Sequence, residues 1–514
     1  MSTYVIGAVW VGPQDTNVFP ALAGASFNDA NSWHTFSVPG PTDDVFLDTS
    51  TSLDPRGDGI PSYITLGSYT YPTFLPPAKF VPAQDASINH LYTGSGYFDI
   101  DLDGQELEVA ADLFVGISLK NAHIEVRGGG VLTVADNIYV QSGQGPLALP
   151  KSILDVHGPG TLLKATNPGT PTSSTVTVGA IGESDFIVRD GAAFTSEGRL
   201  YGGLTSQIIF RNGAIVHIND FIFVNDTLLI EGPTTQVTTT QQLNLINNDL
   251  STPTLTEASV TIRDGASLFT GSAGSGTNSS GVLGHRTGTT GTVNVVENGE
   301  WTQNGLLSVG FQGNANLYVN SYGRVQSLDA AVGRIAGASG FVEVKTSGTW
   351  EVDRDLSVGG LPTAVGGTGE VKVESIVIGD DMKIWNTGTV TLDGGSIIAQ
   401  TIEAVPGSTF DVLSGELTVD NFIGSLTLSG GTLSPGQSPG TTSVSQNFVI
   451  DNANSTVLIE LASNGNTPGS DFDKVSVQGN ADLDGQLELV LISGYVPTLG
   501  DSFNVITANS ITGS

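Results

Sequence analysis

Gly291-Thr-Val-Asn-Val-Val-Glu-Asn-Gly-Glu-Trp301 and Gly340-Phe-Val-Glu-Val-Lys-Thr-Ser-Gly-Thr-Trp350 share one plan. A glycine opens a strand in which apolar and polar residues alternate, a second glycine closes the turn, and tryptophan follows. The strand and turn recur as Ile124-Glu-Val-Arg-Gly-Gly-Gly-Val-Leu-Thr-Val134, Phe186-Ile-Val-Arg-Asp-Gly-Ala-Ala-Phe194 and Val260-Thr-Ile-Arg-Asp-Gly-Ala-Ser-Leu268. Later copies are Met382-Lys-Ile-Trp-Asn-Thr-Gly-Thr-Val390 and Phe410-Asp-Val-Leu-Ser-Gly-Glu-Leu-Thr-Val419. A short apolar run ending in glycine marks the same unit at Val115-Gly116, Val178-Gly179, Leu283-Gly284, Val309-Gly310, Val332-Gly333, Val358-Gly359 and Ile378-Gly379, the last five spaced by 26, 23, 26 and 20 residues.

Period-2 alternation over four to six residues reads as strand, and no stretch carries a convincing helical period. A unit of about 20–30 residues without a helix cannot close a core alone, so it must stack on its neighbours. The expected fold is therefore all-β, a right-handed parallel β-solenoid (β-helix) in which Val, Ile and Leu point inward and glycine occupies left-handed turns. The solenoid repeats are assigned to residues 99–430. Residues 1–98, rich in proline and aromatics, read as an irregular N-terminal capping module, which a terminal coil needs to cover its exposed edge. Residues 431–514, opening with Gly430-Gly-Thr-Leu-Ser-Pro-Gly-Gln-Ser-Pro-Gly440, read as a distinct β-rich closing segment.

The chain has 514 residues, 18 Lys+Arg against 51 Asp+Glu, a net charge of −33, 67 glycines and no cysteine. A surface this acidic repels phosphate backbones and anionic headgroups, which argues against nucleic acid and membrane surfaces as partners. Without cysteine there is no disulfide framework and no thiol nucleophile. No apolar run reaches the roughly 18 residues of a bilayer span, so membrane insertion is not expected. The N-terminus lacks the positive region of a signal peptide.

At this point the sequence resembles the β-solenoid repeats of autotransporter (type V secretion) passenger domains and of exported proteins bearing a PEP-CTERM sorting signal. Trp10, Asn28-Asp-Ala-Asn-Ser-Trp33, Val38-Pro39 and Asp43-Asp-Val-Phe-Leu47 are similar to the opening of such passengers. Gly430–Gly440, Asp471-Phe-Asp-Lys-Val-Ser-Val477, Leu483-Asp-Gly-Gln-Leu-Glu-Leu489 and Gly500-Asp-Ser-Phe-Asn-Val505 resemble their closing segment. The resemblance implies an extracellular or cell-surface right-handed β-helix, usually a stalk, adhesin or matrix component and often without enzyme activity. The chain shows neither a translocator barrel nor a Pro-Glu-Pro tail.

Asp99-Ile-Asp101-Leu-Asp103-Gly104 matches the first half of a calcium loop, but Ala110 stands where a bidentate glutamate should close it. The first reading is an alternating strand with its carboxylates in water, the second a weak calcium site on Asp99, Asp101 and Asp103. Asp471, Asp473, Asp482 and Asp484 form a similar cluster. No cofactor is required by any motif, and calcium is the one cation the acidic clusters invite. Arg56-Gly57-Asp58 reads first as an ordinary turn and second as an integrin-type loop. The six histidines, His34, His90, His123, His157, His217 and His285, show no H-x-x-x-H pair.

Three function classes follow. The expected one is an exported, non-enzymatic structural protein: a spacer, an adhesin, or a subunit that self-associates end to end into filaments. The first alternative is a β-helical hydrolase or lyase acting on polysaccharides, with Asp190, Asp220, Asp226 and Asp264 as candidate carboxylates and Arg189, Arg211 and Arg263 as candidate cations. The second is a rod that binds surface glycans by stacking sugar rings on Trp301, Trp350 and Trp385.

Overall fold

The computed structural model describes residues 8–9, 45–47, 78–80, 85–93, 96–116, 121–141, 151–166, 175–179, 182–246, 257–271, 279–345 and 347–513. Among them there is no helix, and the strands pair almost entirely in parallel. The chain divides into two units, Met1–Thr261 with Gly265–Ser272, and Ile262–Asp264 with Ala273–Ser514. Each is a parallel β-solenoid.

In the first unit a coil is three short strands. Ala122–Arg127, Val131–Val134 and Ile138–Val140 make one coil, and Ser152–His157, Leu162–Ala165 and Thr175–Val178 lie upon it in register. The alternation that marks these strands places every second side chain inside. Ile100, Val126, Val156, Val188, Phe210 and Ile230 form one continuous inward column. All six are fully buried. At about 1.5–3 kcal/mol for each such side chain, these columns are the main favourable term of the fold.

In the second unit the early coils use two longer strands. Val295, Val319, Val344, Val373, Leu392 and Val412 stack on one side. Leu283, Val309, Val332, Val358 and Ile384 stack on another. The glycine after each valine turns the chain under its neighbour: Gly333 has φ 71°, and a Cβ there would sit 2.2 Å from the Thr368 carbonyl oxygen. Only hydrogen fits.

The register corrects one detail of the repeat. Val358 pairs with Ile384, whereas Ile378-Gly379 lies against Glu351 and Val352, so the expected 20-residue step at that point is 26 residues. Parallel pairing also runs across the expected domain boundaries. Leu91–Thr93 pairs with Leu113–Val115, residue 98 falls inside strand Gly96–Asp101, and Thr432–Pro435 continues the ladder from Glu416–Val419. Beyond 431 the coils return to three strands, as in Phe448–Ile450, Thr456–Leu461 and Lys474–Val477.

Candidate functional site

The second unit carries a surface cleft of about 230 Å³ beside strands Thr349–Val358, Ile376–Ile384 and Ser396–Ala404. Its walls include Asp355, Ser357, Asp381, Lys383, Thr401 and Glu403. The register makes these residues neighbours: Asp355 pairs with Asp381, Asp381 with Thr401, and Lys383 with Glu403. Paired backbones of adjacent coils stand about 4.8 Å apart, so two carboxylates face the same opening at close range.

Their environments differ. Burial lifts the Asp355 carboxyl above its usual range, and the negative charges of Asp329 and Asp381 lift it further, against a smaller opposing effect of Arg354. Arg354 itself is engaged by Asp329, its Nε donating to Oδ1 at 3.1 Å. Two residues along from Asp381 on the same strand, Lys383 Nζ lies 3.1 Å from Glu403 and 4.5 Å from the centre of the Trp385 ring. The Trp385 indole N–H donates to the Leu361 carbonyl at 2.8 Å. Two carboxyl groups facing one opening, one of them raised by burial, are an arrangement able to pass a proton.

The residues anticipated from sequence fall elsewhere. Asp190 follows strand Ser184–Arg189 and Asp226 precedes strand Thr227–Glu231, at opposite ends of one sheet and about 20 Å apart along it. They cannot act as a carboxylate pair. Asp190 receives the Asn212 amide and Arg189, Asp220 pairs with Arg199 at 3.2 Å, and Asp264 occupies a left-handed turn position 3.7 Å from Arg263. Arg211 lies 4.0 Å from Glu231.

In the Asp99–Asp103 stretch, Phe98, Ile100 and Leu102 are inside, and Arg127 of the next coil meets the outward carboxylates. Its Nε and Nη2 donate to Asp99 at 2.8 and 2.7 Å, and its Nη1 lies 2.9 Å from Asp101. Asp103 is an exposed turn residue at φ 46°. In the second acidic group, Asp471 accepts the Thr467 N–H and the Ser463 hydroxyl, while the buried Asp473 accepts the N–H groups of Gly440 and Glu460. Asp482 accepts the Thr512 hydroxyl, so this group is distributed over separate turns and strands.

Trp301 and Trp350 are fully buried, so neither offers a face to a sugar. Each shares its strand face with an inward residue, Gln303 or Val352. Trp385 is half-buried, with Lys383 over its ring. Arg56-Gly57-Asp58 lies outside the described residues. The cleft went unnoticed in the sequence although a signal was present: Asp329, Asp355 and Asp381 recur at 26-residue intervals, each three residues before the core column of Val332, Val358 and Ile384. No protein-family model and no curated protein matches this chain.

Proposed function

We propose that this chain is an exported, surface-associated structural protein, passenger-like in construction, serving as spacer, adhesin or assembly subunit. The supporting observation is how outer-face charge is used. Arg127 clamps Asp99 and Asp101 of the coil beneath, Arg189 clamps Asp155, Arg199 meets Asp220, Arg324 meets Glu351, and Arg354 meets Asp329. Each pair joins one coil to another, and such a network resists shear between coils more than any single exposed pair would suggest. Lack of cysteine and strong negative charge suit an extracellular location, and the resemblance of the opening and closing segments to exported passengers points the same way.

Self-association belongs to this reading. Leu487, Leu489 and Leu491 pair with Val457, Ile459 and Leu461, which are buried, yet are themselves 51%, 55% and 49% exposed. The occupant suited to this apolar edge is an in-register strand from a second copy of the chain. Sedimentation at rising concentration should show association in the wild type and its loss in Leu489→Lys; monomers at all concentrations would overturn it.

The cleft favours a second reading, a polysaccharide-acting enzyme with Asp355 as acid and Asp381 as its partner. One experiment separates the two. Incubation with neutral and uronic acid polysaccharides, followed by reducing-end and unsaturated-product assays, should yield no product. Product formation abolished by both Asp355→Asn and Asp381→Asn would replace the structural reading with the enzymatic one.

A further inference from the structure

Away from the cleft, the outer face of the first unit gathers ionisable groups that its ion pairs do not fully use. The register aligns Asp99, Glu125 and Asp155 in one column across three coils. Three carboxylates in a column repel each other unless cations intervene. Arg127 neutralises Asp99, and Arg189 holds Asp155 with three hydrogen bonds of 3.0–3.1 Å. Glu125, between them, takes a hydrogen bond from the Tyr97 hydroxyl.

Two imidazoles flank this glutamate. His123 packs on Tyr97, ring centres 4.3 Å apart, and its Nε2 is buried with no hydrogen-bond partner. His157 Nε2 is buried and unpartnered as well, 3.7 Å from Glu125 Oε2, beyond hydrogen-bond length. Orphaned buried nitrogens are rare and call for an occupant. One ligand atom from each of His123, Glu125 and Asp155 lies within 4.8 Å of the other two.

We propose that His123, Glu125 and Asp155 bind a divalent transition-metal ion of the zinc type, with His157 Nε2 standing 3.7 Å from Glu125 beside the site. Imidazole with carboxylate selects zinc and its neighbours, whereas calcium and magnesium take oxygen alone. The Tyr97 hydroxyl on Glu125 and the Arg189 guanidinium on Asp155 orient the carboxylates from outside, as outer partners of metal ligands do. Arg189 donates twice to Asp155 Oδ2 and once to Oδ1, which leaves a lone pair of Oδ1 open. Because the ligands come from two coils, the ion staples one to the next. This goes beyond the structural reading and does not depend on it.

The test uses the full chain stripped by a chelator and titrated with Zn²⁺ by calorimetry and with Co²⁺ by visible absorption. Saturable binding of one ion at this site is expected, with Zn²⁺ displacing Co²⁺. Loss of an outer partner alone typically weakens a metal site about 10–100-fold, so Glu125→Gln and His123→Gln should each weaken binding by more than about tenfold. Asp411→Asn, at an exposed strand position of the second unit, should change nothing. Both ligand variants are outward-facing and checked for folding by circular dichroism, and His123→Gln should also alter the Co²⁺ spectrum, which reports the nitrogen ligand directly. Absence of saturable binding, equal affinity in the ligand variants, or tighter binding of Ca²⁺ than Zn²⁺ would overturn the proposal.

Discussion

At the scale of single residues, the turn glycines and one buried aspartate show how tightly sequence and backbone are matched. Gly333 and Gly288 both adopt left-handed φ, 71° and 81°, but a Cβ at 333 meets the Thr368 carbonyl while one at 288 meets nothing within 4 Å. Gly333→Ala should therefore cost about 2–4 kcal/mol, and Gly288→Ala about 1 kcal/mol, in denaturant unfolding. Equal costs would mean the coils are not packed as described. Asp473 is governed by burial, which raises its carboxyl to about 6 despite two backbone N–H donors. A folded pKa above the unfolded one stabilises below the unfolded value, and that stabilisation is lost as pH rises through about 6. Between pH 5 and 7.5 the wild type should lose about 1–2 kcal/mol relative to Asp473→Asn. A difference that stays flat with pH would contradict this.

At the scale of the coil, alternation made the strands legible and register made the site illegible. Ala122–Arg127 and Thr349–Val358 could be read directly, because inward valines every second residue leave one assignment of faces. By the same parity Trp350 shares a face with Val352 and Trp301 with Gln303, so their burial was readable too. What local sequence does not display is coil length. It is 20 residues from Ile376 to Ser396 and 27 from Thr349 to Ile376, and that number decides which charged residues meet. Hence Arg127 beside Asp99 and the histidines beside Glu125 lay hidden in unequal loops, whereas Asp355 and Asp381 keep the 26-residue spacing of their core column. Arg127 supplies a test. Arg127→Gln leaves Asp99 partly buried without its partner and should cost about 1–3 kcal/mol, less than a fully buried pair because the arginine remains one-third exposed. Millimolar Ca²⁺ should raise the melting temperature of this variant and leave the wild type unmoved; a calcium response in the wild type would favour the calcium reading of Asp99, Asp101 and Asp103 over the strand reading.

At the scale of the molecule, the core columns, the cross-coil ion pairs and both candidate sites all follow from coils stacked in parallel and in register. The absence of cysteine makes that register directly measurable. Thr389 pairs with Thr409, and Asp411 lies two residues further along the same outward face. Paired positions are about 4.8 Å apart, and a two-residue offset lengthens this to about 8 Å. The measurement is the reaction of dibromobimane, which fluoresces once both its arms have coupled to thiols, with the double variants Thr389→Cys/Thr409→Cys and Thr389→Cys/Asp411→Cys. The first should be crosslinked and fluorescent within each chain and the second should not. Efficient crosslinking of the second, or of neither, would contradict the stacked register and with it the functional reading built upon it.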